Sequence, residues 1–177
     1  MDMELTYIYH SGFALSGDGF TVIMDYYRDS EDGQAQADLN RLMDGTFSNQ
    51  EAGMPEGTVH SGLLRRTGKL YVLASHFHPD HFNKEVLQWR EQRPDIIYIF
   101  SKDILRHRRA QKEDAVWLKK GEEYKDETLS VRAFGSTDVG VSFLLQASGK
   151  KIFHAGDLNN WHWMDESLSL IHISEPT

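Results

Sequence analysis

Apolar residues fall along the chain in short runs separated by polar turns. Glu4–His10 and Phe13–Ser16 alternate as two strands joined at Ser11-Gly12, and Phe20–Tyr26 is a third, entered through the turn Gly17-Asp18-Gly19. A polar stretch runs from Arg28 to Lys69; within it Ala35, Leu39, Leu42 and Met43 recur at helical spacing and predict one short helix closed by Gly45. Leu70–Ala74 is continuously apolar, the pattern of a strand buried on both faces, and it leads directly into Ser75-His-Phe-His-Pro-Asp-His81. Phe82, Val86 and Trp89 then form one helical stripe that stops before Pro94. Ile96–Phe100 predicts the next buried strand, and Ser101 is a suitable N-cap for a helix through about Gln111. Short strands follow at Ala115–Leu118, Leu129–Phe134, Val139–Gln146 and Lys151–His154, the last two joined by a turn at Gly149 and Lys150. Strand-helix alternation followed by a strand-rich half predicts a layered α/β domain.

Composition narrows the picture. A chain of 177 residues suits one domain with a substantial core. Its apolar runs are too short to span a bilayer, and the opening Met-Asp-Met-Glu lacks the basic and apolar regions of a signal peptide. With no cysteine there is neither a disulfide framework nor a thiolate metal ligand, and the expected location is cytoplasmic. A net charge of −8 argues against a nucleic-acid partner. The one basic cluster, Arg106, Arg108, Arg109 and Lys112 around His107, reads as a solvated helix face.

The last ten residues, Leu168–Thr177, can be written codon for codon as CTG TCT CTT ATA CAC ATC TCC GAG CCC ACG, which resembles a transposase sequencing adapter joined to an environmental gene. The expectation is that residues 1–167 belong to a domain that continues further in the parent protein, and that residues 168–177, His172 included, have no part in the fold.

The chemistry concentrates in residues 76–81. His76 and His78 are two apart on an extended segment, so both side chains point the same way, and Asp80 and His81 follow where the chain turns. Four metal-competent side chains within six residues, at the end of a buried strand, suit zinc or a harder ion such as manganese or iron.

Three segments resemble the metallo-β-lactamase superfamily: Ser75-His-Phe-His-Pro-Asp-His81, Lys151-Ile-Phe-His-Ala-Gly-Asp157, and Tyr7-Ile-Tyr-His-Ser-Gly-Phe-Ala-Leu15, the last similar to the branch that includes the sugar-phosphate lactonases. The resemblance implies an αββα four-layer sandwich with its second half incomplete. It also implies two divalent ions, zinc first and manganese or iron as alternatives. His76 and His78 would bind one, Asp80 and His81 the other, and Asp157 would bridge them. Water activated by metal would attack an ester, lactone, amide or phosphoester of a small molecule, with Asp80 also orienting that water and taking its proton. Where the family carries Gly-His-Thr, with a third ligand for the first metal, this chain reads Gly135-Ser-Thr-Asp138, so that site is weakened, or completed by Asp138 or water. The family's final histidine ligand has no counterpart before residue 168. Loss of a ligand leaves a second reading open, a non-catalytic metal-binding or ligand-sensing protein.

The other histidines divide by context. His10, at the end of the first strand, is either a hydrogen-bonding residue beside the site or a satisfied core histidine. His154 precedes Asp157 by three residues and on a regular strand faces the other way, which predicts structural support unless Ala155-Gly156 turns the chain. Asn159 and His162, in a run with two tryptophans, either line a pocket behind the ligands or belong to core packing. His60 and His107 read as surface residues.

Overall fold

A computed structural model describes residues 3–30 and 58–158. The predicted helix at 35–43, Asn159, His162 and the tail at 168–177 lie outside the described residues. Two sheets form. The first has six strands in chain order: β1 (Glu4–Tyr9), β2 (Gly12–Gly17), β3 (Phe20–Met24), β4 (Lys69–Ala74), β5 (Ile97–Ser101) and β6 (Val116–Leu118). β1, β2 and β3 pair antiparallel as consecutive hairpins, while β3 through β6 run parallel. The second sheet is antiparallel, in the order β10 (Lys150–His154), β9 (Val141–Ala147), β8 (Ser130–Gly135) and β7 (Glu123–Lys125).

Strand alternation sorts the apolar residues into two cores. From β4, Tyr71 and Leu73 point between the sheets, where they meet Phe20, Val22, Ile99, Val131, Phe143 and Leu145. Leu70, Val72 and Ala74 point the other way, into a core shared with Ile23 and Phe100 and covered by Val59, Leu63, Val86, Trp89 and Ile104 from the helical segments. The central strands are therefore apolar on both faces, as parallel strands sandwiched between layers must be. The order of layers is helices, first sheet, second sheet. Among the described residues no helix covers the far face of the second sheet, where Phe153 is 41% exposed.

The helices depart from expectation. The segment after His81 is a series of tight three-residue turns over Lys84–Glu91, started by Asn83, whose side chain accepts from the Glu85 amide at 2.9 Å. The helix begun at Ser101 ends at Arg106, well before Gln111. Its amide-to-carbonyl ladder stops because Arg108 takes a left-handed φ of 56°. The other helix, α1 (Thr58–Ser61), is capped by Asp29, which accepts from the amides of Val59 and His60 at 2.8 Å each. β7 has only Tyr124 turned inward, too little apolar signal to mark three residues as a strand. No described helix is long and apolar enough to cross a membrane.

Candidate metal centre

The site forms at the carboxyl ends of the parallel strands, where loops from both sheets meet, a place where open α/β sheets commonly hold ligands. The loop after β4 carries His76, His78, Asp80 and His81. Facing it, the β8–β9 loop carries Ser136 and Asp138, and the segment after β10 carries Asp157. The loops lock together through backbone. The Val141 amide donates to the Ser75 carbonyl at 2.9 Å. Gly140 presses so close that a Cβ there would stand 2.1 Å from the Ser75 oxygen, and a Cβ on Gly156 would stand 2.8 Å from Ser75 Oγ.

Asp25 anchors the arrangement. It follows β3, is fully buried, and holds a left-handed φ of 50° that aims its carboxylate under the histidine loop. Asp25 Oδ1 accepts from the Ser75 amide at 2.7 Å, and Oδ2 accepts from Ser75 Oγ at 2.7 Å, His81 Nδ1 at 2.8 Å and His154 Nε2 at 2.8 Å. Burial alone would push its carboxyl up, but His154 and His81 outweigh that and hold it well below the usual carboxylate range. No spacing rule singles out Asp25. Its one sequence signal is a charged residue closing an otherwise apolar strand.

This network fixes how two imidazoles present themselves. A carboxylate only accepts, so His81 Nδ1 carries a proton and Nε2 faces the site. The single Ser75 hydroxyl proton goes to Asp25, so Ser75 Oγ accepts from His76 Nδ1 at 2.9 Å, and the lone pair of a neutral His76 ring lies on Nε2. Among the described residues, both Nε2 atoms are buried without a hydrogen-bond partner. Burial, reinforced by the neighbouring His81, lowers the His76 pKa and keeps that ring neutral. For His81 burial also acts downward, but the hydrogen bond and charge of Asp25, with Asp157 and Asp80, outweigh it and raise the pKa.

Asp157 stands between the two rings, with Oδ1 3.0 Å from His81 Nε2 and Oδ2 3.3 Å from His76 Nε2. The ligand atoms of His76, His78, Asp138 and Asp157 lie within 4.8 Å of one another, as do those of His10, Asp80 and His81. Two buried, partnerless imidazole nitrogens turned toward one carboxylate fit a divalent cation, since such atoms are costly to bury unless something binds them.

The remaining predicted residues are placed as follows. His10 lies with Nε2 3.7 Å from Asp80 Oδ2 and its ring edge-on to His81, so it faces the site. Gly156, at φ 58°, turns the chain, so His154 and Asp157 both reach the centre, His154 from behind through Asp25. The Ser136 hydroxyl is turned into its own loop, accepting from the Asp138 amide at 3.4 Å. Two histidines read as surface residues make specific contacts. His60 Nε2 lies 2.6 Å from Glu85 Oε1, and His107 stacks on Phe77 at 3.6 Å with 13° between the planes. Beside the cluster opens a cavity of about 340 Å³, walled by Phe13, Met24, Ile152 and Phe153 with His10 and His154 at its edge.

Comparisons with known proteins bear on the scaffold. A family model described as "Beta-lactamase superfamily domain" matches residues 4–173. No match was found among curated proteins. Among solved structures, the fold is similar to Igni18, a metallo hydrolase from Ignicoccus hospitalis, at 19% identity and a TM-score of 0.58, covering 88% of this chain and 61% of that one. It is similar to a possible metal-dependent hydrolase from Veillonella parvula at 14% identity and a TM-score of 0.60, covering 98% of this chain and 67% of that one. A third similar structure is CmlA, a diiron beta-hydroxylase from Streptomyces venezuelae, at 16% identity and a TM-score of 0.56, covering 90% of this chain and 30% of that one. The chain thus spans 30% to 67% of the length of these three proteins.

Proposed function

Because the chain belongs to the beta-lactamase superfamily, with the metallo-β-lactamase fold, we propose that it is a metal-dependent hydrolase of small molecules. In this reading His76, His78, Asp80, His81 and Asp157 hold one or two divalent ions, zinc first, with manganese or iron as alternatives. The observation that carries it is the pair of buried Nε2 atoms on His76 and His81, which have no hydrogen-bond partner among the described residues and face Asp157. A bound divalent cation supplies Lewis acidity, bringing the pKa of water towards ~7 and polarising the substrate oxygen that becomes negative.

The chain's own residues supply orientation and proton handling. Asp25 and Ser75 fix the two imidazoles in the tautomer that leaves Nε2 free to bind. Asp80, partly exposed and with Oδ2 3.5 Å from His81 Nε2, would accept a proton from the attacking water at that oxygen. The apolar cavity beside His10 and His154 supports an organic substrate, an ester, lactone, amide or phosphoester. The acidic balance of −8 favours a small molecule over nucleic acid.

The orientation of Ser136 into its own loop favours one second reading, a protein that binds metal without turnover. Elemental analysis together with a panel of lactone, thioester and phosphodiester substrates separates the two. The hydrolase reading expects bound divalent metal and turnover of at least one substrate, with turnover abolished in His78→Ala. Metal without turnover of any member favours the binding protein, and absence of metal sinks both.

A further inference from the structure

The geometry points to Asp138 as a fourth protein ligand, beside His76, His78 and Asp157, of the cation those histidines hold, making that site a set of two imidazoles and two carboxylates. The inference rests on the reading that these histidines bind a cation. It adds a ligand from the loop where the family places a histidine and this chain places Ser136. Ligand atoms held ~2.0–2.2 Å from a tetrahedral ion stand roughly 3.3–3.6 Å apart. His76 Nε2 and Asp157 Oδ2 are 3.3 Å apart, and His78 Nδ1 and Asp138 Oδ2 are 3.8 Å apart, so small side-chain rotations bring the four onto one ion.

Asp138 is held there by the fold. Its loop is fastened to the histidine loop by the Val141–Ser75 hydrogen bond, and Gly140, at φ 77°, brings the two backbones into contact. Ser136 spends its hydroxyl within the same turn, accepting from the Asp138 amide. The buried His76 Nε2, which has no hydrogen-bond partner among the described residues, is directed at this group of residues. Replacing imidazole by carboxylate makes the donor set richer in oxygen, which improves manganese(II) relative to zinc(II).

The test uses the whole chain stripped with EDTA, then titrated with zinc(II) by calorimetry and with manganese(II) by electron paramagnetic resonance of the free ion. Asp138→Asn is expected to weaken binding of one ion by at least the ~10–100-fold that even changes behind a ligand produce. Ser136→Ala should stay within about twofold. Asp138→His should restore zinc(II) binding to within about tenfold of the wild type while losing relative affinity for manganese(II). The metal-free variants should share the wild-type thermal midpoint, which separates lost ligation from lost folding. The inference is overturned if Asp138→Asn binds as the wild type does, or if Ser136→Ala loses as much. If His78→Ala abolishes binding in that case, the metal-centre reading survives without Asp138. A wild-type chain that binds neither ion overturns both.

Discussion

Asp25 sits fully buried at a left-handed φ of 50° and serves four donors, the Ser75 amide and hydroxyl, His81 and His154. Its carboxylate sets the ring orientation of a residue that faces the candidate centre, so in the proposed reading it would act on metal binding without touching the metal. Asp25→Ala leaves those donors buried without an acceptor, and breaking a buried network of this kind costs about 3–5 kcal/mol. Denaturant unfolding should show a loss of that order. At temperatures where the variant remains folded, metal titration should show affinity reduced by about 10–100-fold. An Asp25→Ala chain that binds metal as the wild type does would remove the positioning role. The residue was illegible in sequence because its importance comes from a backbone angle and from partners up to 129 positions away. The histidines at 76, 78 and 81 were legible because their spacing alone puts them on one loop.

At the scale of elements, the turn between β7 and β8 ties the second sheet to the first through Asp126. This carboxylate accepts from Tyr71 at 2.7 Å, Tyr124 at 3.0 Å, Lys69 at 3.1 Å and the amides of Thr128 and Leu129 at 2.8 and 2.9 Å. Desolvation acts to raise its pKa, but these donors together hold it below the ordinary value of 3.8. A carboxyl depressed on folding contributes stability that is fully present above its unfolded pKa and is lost as pH falls toward its folded one. The wild type should therefore lose stability below about pH 4, the ordinary aspartate range. Asp126→Asn should lose about 1.5–3 kcal/mol at neutral pH and show a shallower acid slope, as measured by urea unfolding across pH. An unchanged slope would exclude this carboxylate as a source of the acid sensitivity. The β8–β9 loop makes a second test. Gly140→Ala combines a strained φ of 77° with a Cβ 2.1 Å from the Ser75 oxygen. The strain alone is of order 1–3 kcal/mol, so thermal unfolding should drop by at least that, with metal affinity falling as the loop moves away from His76. Most strands were legible from alternation and apolar runs. The helices were less so, because a left-handed Arg108 and the cap at Asn83 decide where and how tightly they wind, and neither shows in a hydrophobic stripe.

Across the whole molecule, the candidate ligands come from both sheets: His76, His78, Asp80 and His81 from the end of the first, Asp138 and Asp157 from the loops of the second. The layered α/β class could be read from the sequence because Leu70–Ala74 and Ile96–Phe100 are continuously apolar while later strands alternate. The meeting of the two sheets at one point could not, since it depends on Gly140 and Gly156 approaching Ser75 more closely than any side chain allows. A cation held across that junction binds the folded chain and not the unfolded one, so it must stabilise the fold by mass action. At free metal 100-fold above its dissociation constant the gain is about 2.7 kcal/mol. For a chain of this size that corresponds to a rise of roughly 5–11 °C in thermal midpoint. The midpoint should climb steadily with zinc(II) or manganese(II), return to its starting value on adding EDTA, and lose its metal dependence in His78→Ala, whose side chain is partly exposed and whose metal-free midpoint should match the wild type. A midpoint indifferent to both metals, with His78 intact, would mean that the two sheets are joined by packing and hydrogen bonds alone.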